Sequence, residues 1–170
     1  FGVLSIDAHL DFRVCYEGFK YSHACIMGHI SQLSKVSKMV QVGARDFSGD
    51  EKKATLERGT NYRLFSDEQL ATQKYNGVSW SQLVSTIVDE LPQDVYVSVD
   101  IDGLDPSLCP HTGTPVPGGL TFNECRYLLK QIVRSGRRII GFDIVETGPH
   151  SWDGNVSARL LYLLSCLSLA

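Results

Sequence analysis

The stretch WSQLVSTIVDELPQDVYVSVDID, residues 80–102, contains a change of hydrophobic period that decides the fold class. In its first half Trp80, Leu83, Val84, Ile87, Val88 and Leu91 recur at helical spacing and form one continuous apolar stripe. Ser79 and Gln82 make a capping box at its start, and Pro92 follows its end. From Asp94 the period shortens to two. Val95, Val97, Val99 and Ile101 fall on one face of a strand, and Tyr96, Ser98, Asp100 and Asp102 on the other.

The same alternation extends in both directions. Upstream, Gly2 to Asp7 reads as a short apolar strand, and Ser22 can cap a helix from about His23 to Leu33. Lys38 to Ala44 is a β-branched, apolar strand, and Ser48 with Glu51 caps a helix through about Arg58. Tyr62 to Phe65 is a further strand candidate. Downstream, a Gly/Pro-rich loop runs from Gly103 to Gly119, and Thr121 with Glu124 opens a helix to about Val133. Arg138 to Val145 is a strand, and the last helix is expected over roughly Val156 to Leu167. Strands alternating with helices predict a three-layer α/β/α fold with a mainly parallel sheet and right-handed crossovers. In such sheets, ligands sit at the carboxyl ends of the strands.

The 170 residues suit one domain with a single sizeable core. A net charge of -3 and the lack of any basic run argue against nucleic-acid binding. No apolar stretch reaches membrane-spanning length, since the segment Leu160 to Leu169 is broken by Ser165 and Ser168. Five cysteines, an odd number without C-x-x-C spacing, argue against a disulfide framework or structural zinc and for a reducing, cytoplasmic setting. The opening FGVLSID reads as the interior of a strand, so residues 1–170 are expected to be a partial domain whose N-terminal part is missing.

Three strands carry acidic or imidazole groups at their carboxyl ends. The first carries Asp7, His9 and Asp11, the second Asp100 and Asp102, the third Asp143 and Glu146. Singly, an acidic residue after a strand is often a turn former or a helix cap. Together, Asp7, Asp11, Asp100 and Asp102 would repel one another unless cations sat among them. Four negative charges match two divalent cations. Oxygen-rich ligation with imidazole suits Mn²⁺ or Mg²⁺. Two such ions about 3.5–4 Å apart can bridge a water and generate hydroxide at neutral pH.

DAHLD (7–11) and SVDIDGLDPSLCPHTGTPVPGGLT (98–121) resemble the metal-binding signatures of the ureohydrolases, the arginase and agmatinase superfamily. GFDIVETGP (141–149) and NVSARLLYLL (155–164) resemble its C-terminal signature. The resemblance implies a hydrolase using two Mn²⁺ ions and a metal-bridging hydroxide to convert a guanidino compound to urea and an amine. It implies Asp7, His9, Asp11, Asp100 and Asp102 as metal ligands. His23, in KYSHAC, would pass a proton to the leaving amine, and Glu146 would hold the substrate guanidinium. These roles make independent chemical sense. An amine leaves only when protonated, which suits a group of pKa near 7. A planar cation suits a bidentate carboxylate. Asp143, three residues before Glu146, is expected to point elsewhere. Thr112, Gly113 and Thr114 are expected to shape the pocket floor, with Thr114 near substrate. His29, His111 and His150 and the mouth-loop Cys109 carry no clear chemical signal.

The resemblance has one gap. The family's Gly-Gly-Asp-His-Ser signature, which supplies one more histidine ligand, belongs further upstream of Asp7 than this chain extends. Either a longer protein completes the site, or the chain is a non-catalytic relative that binds metal or partner subunits only. Residues 1–170 alone are expected to be inactive. A one-zinc deacetylase of the same fold is disfavoured, because one metal would not need four aspartates. For substrate, the loop DFRVCYEGFKYSHAC resembles agmatinases, which make putrescine in polyamine synthesis, more than arginases. Arg13 leaves two readings open: an ion pair, or a contact to a substrate carboxylate as in guanidinobutyrate or formiminoglutamate. The resemblance further implies a homo-oligomer, trimer or hexamer.

Overall fold

The computed structural model describes residues 1–170. Five strands, β1 (Gly2–Ile6), β2 (Lys38–Val42), β3 (Tyr62–Phe65), β4 (Asp94–Asp100) and β5 (Arg138–Val145), form one sheet in the order β3-β2-β1-β4-β5. Every neighbouring pair is parallel. The chain builds outward from β1 to β3, then returns to lay β4 on the other side of β1. That reversal makes the β1/β4 boundary the switch point of the sheet, where loops diverge and leave a crevice.

The six helices are α1 (Ile26–Ile30), α2 (Gly49–Leu56), α3 (Asp67–Tyr75), α4 (Trp80–Asp89), α5 (Phe122–Arg134) and α6 (Ser151–Ser168). One sheet face presents Leu4, Ile6, Val40, Val42, Val95, Val97 and Val99 to a core shared with α3 through α6. Leu83, Val84, Ile87 and Val88 of the α4 stripe are buried there, as their spacing predicts. Burying such side chains contributes about 1.5–3 kcal/mol each. The opposite face carries a smaller cluster in which Val3, Met39 and Tyr62 pack on Leu10, Phe12, Met27 and Ala44. The fold is therefore the expected parallel three-layer arrangement, with a thin second layer.

Several elements differ from expectation. The helix expected over residues 23–33 is a 3-10 turn at His23–Cys25 followed by the short α1. The helix α3 was not anticipated: its first turn is capped by Ser66, but Leu70 is its one buried residue, so it carries little apolar periodicity. The last helix starts at Ser151, well before Val156, because His150 serves as its cap.

Candidate metal centre

Strand alternation, which puts Asp100 and Asp102 on one face in the sequence, does not by itself arrange either ligand group. The strand β1 ends at Ile6, and Asp7 Oδ1 accepts the His9 backbone N–H at 2.7 Å. The chain then turns, with Asp11 in the left-handed region at φ 55°. The Asp11 carbonyl accepts the N–H groups of Met27 and Gly28, so α1 pins that strained residue. After β4, residues Ile101–Gly103 form a 3-10 turn capped by Asp100, whose Oδ1 accepts the Asp102 N–H at 2.9 Å. That turn sends Ile101 into the core and swings Asp102 towards β1.

The two turns meet. Asp102 Oδ1 accepts the Ala8 N–H at 3.1 Å, and Asp102 Oδ2 lies 3.1 Å from His9 Nδ1. His9 Nδ1 is also 3.5 Å from Asp7 Oδ1. Asp7, Asp100 and Asp102 are 5, 8 and 1% exposed. Gly103 permits the close approach: a Cβ there would stand 2.6 Å from the Asp7 nitrogen. Behind the turns, Tyr62 Oη donates to Gln41 at 2.6 Å, and Gln41 donates to the Leu10 carbonyl. Arg45 donates to the carbonyls of Asp102, Leu104 and Val116, fastening the 103–119 loop to the end of β2.

Crowding of buried carboxylates dominates the electrostatics. Burial, then the charges of Asp7 and Asp102, pushes Asp100 up to about 10. Burial and then Asp7 push Asp11 up to about 8. Asp7 is raised by burial, against its hydrogen bond with His9. Burial also acts to raise Asp102, but hydrogen bonds from His9 and Ala8 outweigh it and hold Asp102 low. His9 is raised to about 10 by its contacts with Asp102 and Asp7. One imidazolium thus leaves most of the cluster's carboxylate charge unbalanced. Divalent cations would offset it fully, and oxygen donors with one imidazole suit a hard or borderline ion such as Mn²⁺. The residues present fit such a centre.

A cavity of about 670 Å³ opens over this cluster. It is lined by Asp7, His9, Asp11, Asp100 and Asp102, and equally by His23, Thr114 and Glu146. The residues given metal, proton-transfer and substrate roles from the sequence are therefore brought together, whereas Thr112 and Gly113 are not among the lining residues. Glu146 sits in the left-handed region at φ 58°, and its carbonyl accepts from Thr112 Oγ1 at 2.8 Å. Thr114 Oγ1 donates to Asp102 Oδ2 at 3.4 Å, which puts it beside the acidic cluster. His23 is exposed, with its ring edge-on to Tyr16.

One expectation needs correction, and one further acid joins the cavity wall. Asp143 does not point elsewhere: it lines the same cavity, accepting from Tyr96 Oη and Ser98 Oγ, both at 2.8 Å. Its register opposite Ser98, two residues from the Asp100–Val145 pair, puts it on the cavity face. Asp46, 4.0 Å from His9 Nε2, lies in a loop outside any motif, so the sequence carries no signal for it. Arg13 is engaged within the chain, 3.7 Å from Glu51 and over the Tyr16 ring. Glu51, besides capping α2, is buried and accepts the Phe12 N–H.

The fold and the site together define a parallel α/β protein with an acidic, metal-type cluster at its switch point. The arginase family model matches residues 1–166, and the chain belongs to that family. It is 33% identical to an agmatinase of Pyrococcus horikoshii over 165 residues, 95% of this chain and 53% of that protein. It is 34% identical over 150 residues to an N(1)-aminopropylagmatine ureohydrolase of Thermus thermophilus, 88% of this chain and 47% of that protein. Among solved structures, the agmatine ureohydrolase of Thermoplasma volcanium superposes with a TM-score of 0.78 at 29% identity. That match covers 99% of this chain and 55% of the other. The chain spans about half the length of the curated relatives it matches. No helix is long and apolar enough to cross a membrane.

Proposed function

We propose that the protein containing this chain hydrolyses a cationic guanidino compound, agmatine in the first instance, to urea and putrescine with the help of two Mn²⁺ ions. The observation that carries this reading is the convergence of five ligand-type side chains from the β1 and β4 turns beneath a cavity also lined by His23 and Glu146. Asp7, His9, Asp11, Asp100 and Asp102 would hold the cations, which when bound supply the Lewis acidity that makes water nucleophilic at neutral pH.

The chain's own groups do the rest. The Glu146 carboxylate accepts from the guanidinium N–H groups and fixes that plane in the cavity. Thr112 holds the backbone of its turn through the Glu146 carbonyl. His23 delivers a proton to the departing amine nitrogen, without which the C–N bond does not break. Asp143, fixed by Tyr96 and Ser98, adds negative charge to the wall.

Charge balance supports the substrate class. With Asp7, Asp11, Asp100 and Asp102 taken up by the cations and Glu51 beside Arg13, the acids left on the cavity wall are Asp46, Asp143 and Glu146, and Arg13 is the only Lys or Arg among the lining residues. Arg13 lies 3.7 Å from Glu51, so its charge is balanced within the chain before substrate enters. A decarboxylated, doubly cationic guanidinoalkylamine fits better than arginine, guanidinobutyrate or formiminoglutamate. The similarity to proteins named agmatinase and N(1)-aminopropylagmatine ureohydrolase points the same way.

Kinetics of Glu146→Gln and His23→Ala test the assignment. Losing a charge-assisted contact worth about 1.5–3 kcal/mol lowers kcat/KM for agmatine by roughly 10–150-fold in Glu146→Gln. His23→Ala should lower kcat with little change in KM. Parental kinetics in both variants would sink the proposal.

A further inference from the structure

Away from the acidic cavity, the mouth loop and the first turn of α6 hold a second group of ligand-type side chains. His111 Nδ1 lies 3.1 Å from Asp153 Oδ1, and the His111 backbone N–H donates to Asp153 Oδ2 at 2.9 Å. Asp153 is fully buried. It therefore fixes the tautomer of His111: the proton sits on Nδ1, and Nε2 keeps its lone pair. His150 caps α6, its Nδ1 accepting the Trp152 N–H at 3.4 Å, so the neutral ring carries its proton on Nε2 and its one lone pair on Nδ1, where a cation would displace that long cap contact. The two imidazoles stack with centroids 4.2 Å apart and planes 20° from parallel. Ligand atoms of His111, His150 and Asp153 all lie within 4.8 Å of one another. Neither histidine lines the acidic cavity.

We propose that His111 and His150, with Asp153 as the carboxylate behind His111, form a binding site for a borderline divalent cation, Zn²⁺ or Ni²⁺. Imidazole donors favour these ions over Mn²⁺ and Mg²⁺, which prefer oxygen. A carboxylate that holds the far N–H of a ligating histidine is the usual support of such sites, since it orients the ring and raises its basicity. Metal–imidazole bonds are about 2.0–2.1 Å, so nitrogens at this spacing close onto one ion only with rotations that turn the two rings out of their parallel stack. The rings are free to make them: His150 is exposed and the His111 side chain is 46% exposed.

The site also joins two segments that already touch. Trp152 Nε1 donates to the Ser107 carbonyl at 3.0 Å, and Thr112 Oγ1 donates to the Glu146 carbonyl. A cation shared by His111 and His150 fastens the mouth loop to the turn that carries Glu146.

Ni²⁺ titration of the Mn²⁺-saturated protein, followed by equilibrium dialysis and by tryptophan fluorescence, tests this. Trp152 lies two residues from His150, within quenching range of a bound paramagnetic ion. The expected result is uptake of about one further ion per chain, with quenching that excess Mn²⁺ does not reverse. His150→Asn keeps a cap acceptor for α6 but loses the imidazole, so a folded variant lacking both uptake and quenching supports the site. His111→Asn should behave alike, and Trp152→Phe should lose the quenching but keep the uptake. Equal Ni²⁺ uptake in wild type and both Asn variants, or displacement of the ion by Mn²⁺, would overturn the proposal.

Discussion

His9 Nδ1 lies 3.1 Å from Asp102 Oδ2, and this contact joins the turn after β1 to the turn after β4 across the switch point of the sheet. Asp102 also accepts the Ala8 N–H, so one carboxylate organises both the ligand and the loop that carries it. Asp102→Asn should retain the helical and strand content of the parent while weakening Mn²⁺ binding by at least ~10–100-fold, measured by equilibrium dialysis. Unchanged Mn²⁺ affinity would remove Asp102 from the site.

Stability of the metal-free protein should fall as pH rises. Asp11 and Asp100 titrate near 8 and 10 in the folded state, against an ordinary 3.8, because burial and neighbouring carboxylates disfavour their charged forms. Between those values the folded state binds more protons than the unfolded chain, so the free energy of unfolding decreases with increasing pH. His9 adds the same slope between its ordinary 6.5 and about 10, since Asp102 and Asp7 favour the imidazolium. The melting temperature of the chelated protein should drop from pH 5 to pH 9, and Mn²⁺ should reverse most of the drop. A melting temperature that climbs over this range would contradict the electrostatic picture.

Gly103 sits where no side chain fits. An added Cβ would stand 2.6 Å from the Asp7 nitrogen and 2.8 Å from the Ile6 carbonyl carbon, both backbone atoms that cannot rotate away. Gly103→Ala should therefore cost about 1–3 kcal/mol in denaturant unfolding and weaken Mn²⁺ binding as well, because it pushes Asp7 away from Asp102. Parental values for both would show that the turns tolerate separation.

Arg13 tests the substrate class. Its contact with Glu51 is half-exposed and contributes about 0–1 kcal/mol, so Arg13→Ala should change kcat/KM for agmatine by no more than about fivefold. A selective loss of activity on guanidinobutyrate would instead show that Arg13 reads a carboxylate.

Much of this was legible in the sequence, and the exceptions share physical causes. The α4 stripe and the β4 alternation announce themselves because each element buries one full face. The helix α3 buries only Leu70, so no period betrays it. The start of α6 was concealed because histidine is an uncommon cap, recognisable only once the His150 ring is seen accepting from Trp152. The ligand residues were readable from their motifs, but their arrangement was not. A 3-10 turn and a left-handed Asp11 place them, and both depend on long-range partners such as Gly103 against Asp7. The place of Asp143 is not legible from its spacing to Glu146 along the chain. Its side chain follows the pairing with β4, and Glu146 lies past the strand end in a turn of its own.

The most direct test of the central claim is product analysis of the Mn²⁺-loaded protein containing this chain, incubated with agmatine. Urea and putrescine are expected in equal amounts, dependent on Mn²⁺ and lost in Asp102→Asn. Absence of urea from agmatine and from every other guanidino compound offered, with Mn²⁺ bound, would contradict it.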